Sequence, residues 1–138
     1  MKTALIAGAT GLVGNQLINE MIINNDYQKV IVLSRRILQI SHPKLEVFLI
    51  DFNQLKEVNL PENIDECFCA LGTTQKKSGK EGLILVDYEY VLILAHLCKH
   101  YSIPKFLVVS SQGANPNSSF FYMQTKGKME EAVKKNRY

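Results

Sequence analysis

Several small groups of residues in this 138-residue chain are of the type and spacing that could do chemistry. The first is Gly8-Ala9-Thr10-Gly11-Leu12-Val13-Gly14, a G-x-x-G-x-x-G turn directly after an apolar run at residues 3–7. Glycines let a backbone turn tightly and approach a pyrophosphate, whose charge then rests at a helix N-terminus with unclaimed N–H donors. The competing reading is a tight strand-to-helix turn with no ligand.

Tyr122 and Lys126 form the second group. Four residues apart on a predicted helix, they project from one face. A phenol normally titrates near pH 10, and a nearby ammonium that stabilises the phenolate makes it a usable acid–base group. With a hydroxyl from Ser111, or from Ser110 as second choice, this is a Ser–Tyr–Lys carbonyl-reduction site: tyrosine the general acid, serine the group that polarises the carbonyl oxygen. The bland alternative is the surface of an amphipathic helix.

Arg35-Arg36 follows the second apolar run, where the adenosine ribose of a dinucleotide is read. An acid there would accept from a ribose 2′-OH; two guanidinium groups suit a 2′-phosphate instead. NADP(H) is therefore favoured over NAD(H). Asp51, at the end of the third run, could accept from the adenine amino group or bond its own loop backbone.

These groups need a scaffold, and the hydrophobic pattern supplies one. Strands are expected at residues 3–7, 29–34, 45–50, 66–71 and 106–109. The near-continuous Val-Ile-Val-Leu of the second run is what a parallel strand covered on both faces requires. A first helix carries Val13, Leu17, Ile18 and Met21 on one stripe; residues 55–60 read as a short helix and the polar residues 75–82 as a loop. Asp87 is a plausible N-cap for a helix over residues 88–101 with Val91, Leu92, Ala95 and Cys98 buried, and a last helix spans about residues 119–135. Strands alternating with helices predict a single doubly wound α/β domain over residues 1–138, with strand order 3-2-1-4-5. Every candidate residue then falls at the carboxyl edge of the sheet, where open α/β sheets bind ligands.

In order along the chain, GATGLVG, the RR pair, CALGTT, SSQGAN and YMQTKGKME resemble the short-chain dehydrogenase/reductase superfamily. More narrowly, they resemble its atypical Tat-interacting-protein-like oxidoreductase branch. The resemblance implies a Rossmann-type domain. It also implies NADPH held by Gly8, Thr10, Gly11, Leu12, Val13, Gly14, Arg35, Arg36, Leu71, Gly72 and Thr73, with Tyr122 and Lys126 catalytic and touching the cofactor. Members of that family continue into a further strand opening in Arg-Pro-Gly, whereas this sequence ends at Asn136-Arg137-Tyr138, so the sheet is expected to stop before a sixth strand. The functional expectation is an NADPH-dependent carbonyl reductase acting on a small-molecule carbonyl substrate, or the nucleotide-binding portion of one. Its rival is a non-catalytic NADPH-binding redox sensor acting through a protein partner or a second copy of itself.

Other classes receive little support. The net charge of +3 gives none for nucleic acid, and the basic set Lys126, Lys128, Lys134, Lys135 and Arg137 is interrupted by Glu130-Glu131, as a solvated face would be. No apolar run approaches membrane-spanning length. Gly79-Lys80 fails the P-loop template because Glu81 follows the lysine. Cys67, Cys69, Cys98 and the histidines show no metal-ligand spacing, and an odd cysteine count without a secretory signal fits a reducing, cytoplasmic setting.

Overall fold

In the computed structural model, which describes residues 1–136 and 138, the two richest apolar runs become the central strands. β1 (Lys2–Ala7) and β2 (Tyr27–Ser34) pair in parallel, and Ala4 to Ala7 and Val30 to Leu33 are fully inaccessible. β3 (Leu45–Leu49), β4 (Glu66–Cys69) and β5 (Lys105–Val108) complete a five-stranded, all-parallel sheet in the expected order 3-2-1-4-5.

Alternate residues of each strand feed two cores. Leu5, Ala7, Ile31, Leu33, Cys67 and Cys69 meet α3 (Tyr90–His100) and α4 (Phe121–Lys135) through Val91, Leu94, Cys98, Met129 and Val133. Ala4, Ile6, Val30 and Val32 meet α1 (Leu12–Ile23) through Ile18, Met21 and Ile22. The stripe of α1 begins at Gly14 rather than Val13, which is 45% exposed. The turn brings Gly14, not its neighbour, against the β1 exit.

The stretch at residues 75–82 is helical, not a loop: α2 spans Gln75–Ile84. Thr74 caps it by accepting from the Lys77 N–H, and Gly79, at φ +72°, kinks it. Leu83 is its one buried residue, so it carries no apolar period to detect. The chain then runs without a break through a π-helical turn, Leu85–Glu89, into α3. Asp87 therefore caps nothing; it lies inside that turn and is fully buried. In α3 the expected Val91, Ala95 and Cys98 are buried, joined by Leu94 and Leu97, while Leu92 is only partly covered. The short helix placed at residues 55–60 is a 3₁₀ segment at Phe52–Glu57.

One residue of the basic set separates from the rest. Lys128, Lys134 and Lys135 are exposed, but Lys126 is 3% exposed; Arg137 lies outside the described residues. β5 is an edge strand, with Phe106 and Val108 packed on the core and Leu107 turned outward.

Candidate nicotinamide-dinucleotide site

The β1–α1 turn is built by close approach. Gly8 has φ +90°, and a Cβ there would fall 2.4 Å from the carbonyl carbon of Ala70 at the end of β4. At Gly14 a Cβ would sit 2.1 Å from the Gly8 carbonyl oxygen, so only glycine lets α1 start this close to β1. Gly11 differs: nothing in the protein crowds it beyond ordinary contact with the Gly8 carbonyl oxygen at 3.6 Å. Gly11 is also the N-cap of α1, has no capping side chain, and is followed by a first turn with no acidic residue. The first-turn N–H groups thus face outward with no carboxylate competing for them, which fits a phosphate. Thr10, Leu12 and Val13 are exposed around this opening.

A cavity of about 410 Å³ opens over the carboxyl ends of β1, β2 and β4. It gathers Gly8, Thr10, Gly11, Arg35, Arg36, Asp51, Leu71, Gly72 and Thr73, candidates spread over sixty-odd positions of sequence that only the sheet brings together. A second cavity of the same size adjoins it across Ala9, Thr10 and Arg36. Both arginines are exposed at its rim. Their turn is folded by Ser34, whose hydroxyl donates to the Arg36 carbonyl at 2.7 Å and accepts from the Arg36 N–H at 3.2 Å. Asp51 accepts from the Asn53 N–H at 2.9 Å with one oxygen, the loop-capping role, while still lining the cavity.

Sequence reasoning missed the apolar side of this cavity. Phe52, Asn53 and Tyr90 line it, with the Phe52 and Tyr90 rings 5.7 Å apart and the Tyr90 hydroxyl donating to Asn53 Oδ1 at 2.9 Å. Burial, and then Asp51, push the Tyr90 phenol above its ordinary value, with Arg35 opposing. Lys77 and Ser78 of α2 close the far wall. The apolar Phe52 sits within a polar-looking run, and Tyr90, two residues after Tyr88, simply opens α3, so no local pattern marks either.

Tyr122, Lys126 and Ser111 lie outside this cavity, and of the three the Lys126 ammonium is the one that reaches its wall. The Lys126 ammonium lies 5.7 Å from the Tyr122 ring centroid, so the i, i+4 pair does share a face. That ammonium would stand 4.0 Å from a Cβ built on Gly72, a cavity-wall residue. It is paired with Asp87, whose Oδ1 is 2.5 Å away and whose Oδ2 accepts from the Thr73 N–H at 2.9 Å. The sequence signal for this role of Asp87 is a carboxylate inside an otherwise apolar helical run, which by itself looks equally like a helix cap. The Ser111 hydroxyl donates to the Gln112 carbonyl at 3.3 Å and lies 3.6 Å from the sulfur of Met123, next to Tyr122, whereas the Ser110 hydroxyl donates to Glu130 at 3.0 Å. Gly127 allows this loop to close on α4, since a Cβ there would meet Pro116 N at 2.3 Å. The three cysteines are buried, and burial drives the Cys69 thiol up to about 12. Among the described residues no cluster of potential metal ligands occurs.

A family model for NAD(P)H-binding proteins matches residues 8–138, the turn, the arginines and the tyrosine–lysine helix included. The chain belongs to the NAD(P)H-binding family. It is 36% identical to rat Protein HTATIP2 over 141 residues, covering 99% of this chain and 58% of that protein. It is 35% identical to Protein FMP52, mitochondrial, of Debaryomyces hansenii, covering 95% of this chain and 59% of that protein. The chain thus spans under two thirds of the length of these relatives. In fold it is similar to MoeE5, solved in complex with UDP-glucuronic acid and NAD, at a TM-score of 0.80 and 19% identity, covering 97% of this chain and 49% of the other. This family membership accounts for a Rossmann-type sheet whose cavity suits a nicotinamide dinucleotide. No helix among the described residues is long and apolar enough to cross a membrane.

Proposed function

We propose that the chain is an NADPH-dependent carbonyl reductase of the short-chain type, or the nucleotide-binding portion of one. The observation that carries this reading is the Lys126 ammonium, buried beside both the Tyr122 ring and the cavity-wall residue Gly72. A lysine on a solvated helix face would be exposed and would not reach Gly72.

In this reading the residues 8–14 turn, with Thr10, Gly11, Leu12 and Val13 around its opening, holds the pyrophosphate. Arg35 and Arg36 take the 2′-phosphate, and Asp51, Phe52 and Tyr90 surround the adenine. Leu71, Gly72 and Thr73 line the path toward the nicotinamide end. The bound nicotinamide supplies the hydride for a carbonyl carbon. Tyr122 gives its phenolic proton to the carbonyl oxygen, so the carbonyl becomes an alcohol, and Ser111 donates a hydrogen bond that orients that oxygen. Ser111 is preferred over Ser110 because its hydroxyl makes only the longer contacts to the Gln112 carbonyl at 3.3 Å and Met123 at 3.6 Å, whereas the Ser110 hydroxyl donates to the Glu130 carboxylate at 3.0 Å. Lys126 steadies the phenolate left behind and holds the adjoining ribose. The experiment is NADPH consumption across a panel of aldehydes and ketones; no turnover with any of them removes the reductase reading.

A second reading is a non-catalytic NADPH-binding sensor that acts through a protein partner or a second copy. It is favoured by one observation: the cavity walls all belong to the dinucleotide side, with Tyr122 and Ser111 outside them. NADPH binding without turnover, together with a surface whose partner affinity changes on NADPH binding, distinguishes it. The proposed compartment is the cytoplasm, where buried thiols stay reduced; cell fractionation tests it against the mitochondrial designation of the FMP52 relatives.

A further inference from the structure

Asp87 is a fully buried carboxylate that none of the steps above uses. It is presented by the π-helical turn Leu85–Glu89, where an extra residue per turn rotates a side chain off the regular helix face. Both of its oxygens are engaged, by different elements. Oδ1 meets the Lys126 ammonium of α4, its sole partner among the described residues. Oδ2 accepts from the Thr73 N–H, in the loop after β4 that walls the cavity. Gly72 lies against the ion pair, a Cβ built on it standing 3.5 Å from Asp87 Oδ1 and 4.0 Å from the Lys126 ammonium.

Burying an ion pair is costly compared with burying apolar groups of similar volume, so its presence calls for a role other than stability. A lysine side chain is flexible, with a compact charge that takes no fixed direction by itself. Here one carboxylate ties that charge to the backbone of the cavity wall.

We infer that Asp87 is a positioning residue that registers the Lys126 ammonium against the Gly72–Thr73 wall, so that the ammonium meets the nicotinamide-side ribose of the bound cofactor. This rests on the reading that the chain binds a dinucleotide with Lys126 at that ribose. One ammonium hydrogen is spent on Asp87 and the remaining ones are left for ligand and phenol. The adenosine half of the cofactor, held by residues on the far side of the cavity, is independent of the pair.

The test compares two probes on the whole 138-residue chain: NADPH, and 2′,5′-ADP, which lacks the nicotinamide half. Asp87→Asn should weaken NADPH by about tenfold or more, the scale of one hydrogen bond to a charged group, and leave 2′,5′-ADP within about twofold. Equal NADPH affinity in wild type and variant overturns the inference. So does parallel loss of both probes, which is what a merely structural role produces. Asp87→Asn leaves Lys126 buried without its counter-ion and can fail to fold, so Lys126→Met is compared with the neutral double variant Asp87→Asn/Lys126→Met. Matching NADPH affinities support action through Lys126, and a further tenfold loss in the double variant overturns it. A wild type that binds 2′,5′-ADP but gains nothing from the nicotinamide half also overturns it while leaving the adenosine site intact. A wild type that binds neither probe overturns the dinucleotide reading itself.

Discussion

Ser34 and Arg36 bond each other twice, through the Ser34 hydroxyl to the Arg36 carbonyl and from the Arg36 N–H back to that hydroxyl. The reciprocal pair folds the chain sharply at the end of β2 and leaves both guanidinium groups at the cavity rim. Arg35→Ala should weaken NADPH much more than NADH, by about 1–3 kcal/mol, the range for hydrogen bonds to charged groups. Ser34→Ala should produce the same selective loss in milder form by loosening the turn. Titrations with both dinucleotides decide the matter, and a wild type that binds NADH as tightly as NADPH rules out the phosphate role.

The glycines of the first turn separate stability from binding. Gly8→Ala forces a Cβ onto the backbone of Ala70 at a positive φ and should lower stability by about 2 kcal/mol or more. Gly11→Ala meets no protein atom at close range, so thermal unfolding should stay near wild type while NADPH affinity falls. Melting curves with and without NADPH read both effects. A Gly11→Ala protein with undiminished affinity would mean that no phosphate approaches that backbone.

Removing the phenolic hydroxyl tests the chemistry. If turnover is found, Tyr122→Phe should cost on the order of 10²–10⁴-fold in kcat, the range for a general acid, with cofactor affinity nearly unchanged. Lys126→Ala should reduce both quantities, because one ammonium serves the phenol and the cofactor. Normal kcat in the phenylalanine variant excludes tyrosine as the acid.

At the opposite end of the sheet, Glu66 accepts from the Tyr27 hydroxyl at 2.7 Å and pairs with Lys2 at 3.1 Å. Burial by itself would raise its carboxyl, but the Tyr27 hydrogen bond and the Lys2 charge outweigh burial and hold it below the ordinary value. A depressed folded-state value favours the folded protein above the ordinary carboxylate range, near pH 4, and that contribution is lost as pH falls through the folded value. Denaturant unfolding of wild type and Glu66→Gln between about pH 2 and 6 should show a shallower acid decline in the variant. Parallel curves would show that Glu66 does not supply the dependence. Burial, and then the Glu66 carboxylate that accepts its hydroxyl, push the Tyr27 phenol up to about 12, so this cluster keeps its charge pattern through neutral pH.

β5 leaves a row of backbone groups at the sheet edge, with Leu107 and Val109 exposed beside it. Unpaired edges with apolar side chains promote association. The 138-residue chain should therefore scatter light in a concentration-dependent way, and Leu107→Lys should suppress it. A monodisperse monomer at high concentration would show the edge to be harmless.

The sheet was legible without a structure because its signals are local. Val30 to Leu33 is apolar without alternation, which dictates a doubly covered parallel strand, and the right-handed crossover rule then orders the five strands. The glycine turn was equally plain, since Gly8 and Gly14 answer to backbone geometry that no other residue meets. Tyr122 and Lys126 could be paired from helical spacing alone. What sequence could not reveal is set by distance across the fold. Residues 75–84 form a helix whose faces, Leu83 apart, are largely solvated, so capping by Thr74 and continuity with α3 decide it, not periodicity. Asp87 looked like a cap because polar residues before apolar runs usually are. Its actual partners, Lys126 and Thr73, are 39 and 14 positions away, and only the packing of α4 against the π-helical turn brings an ammonium to that carboxylate. A buried charge is stable only beside its opposite, and which opposite arrives is a property of the tertiary structure.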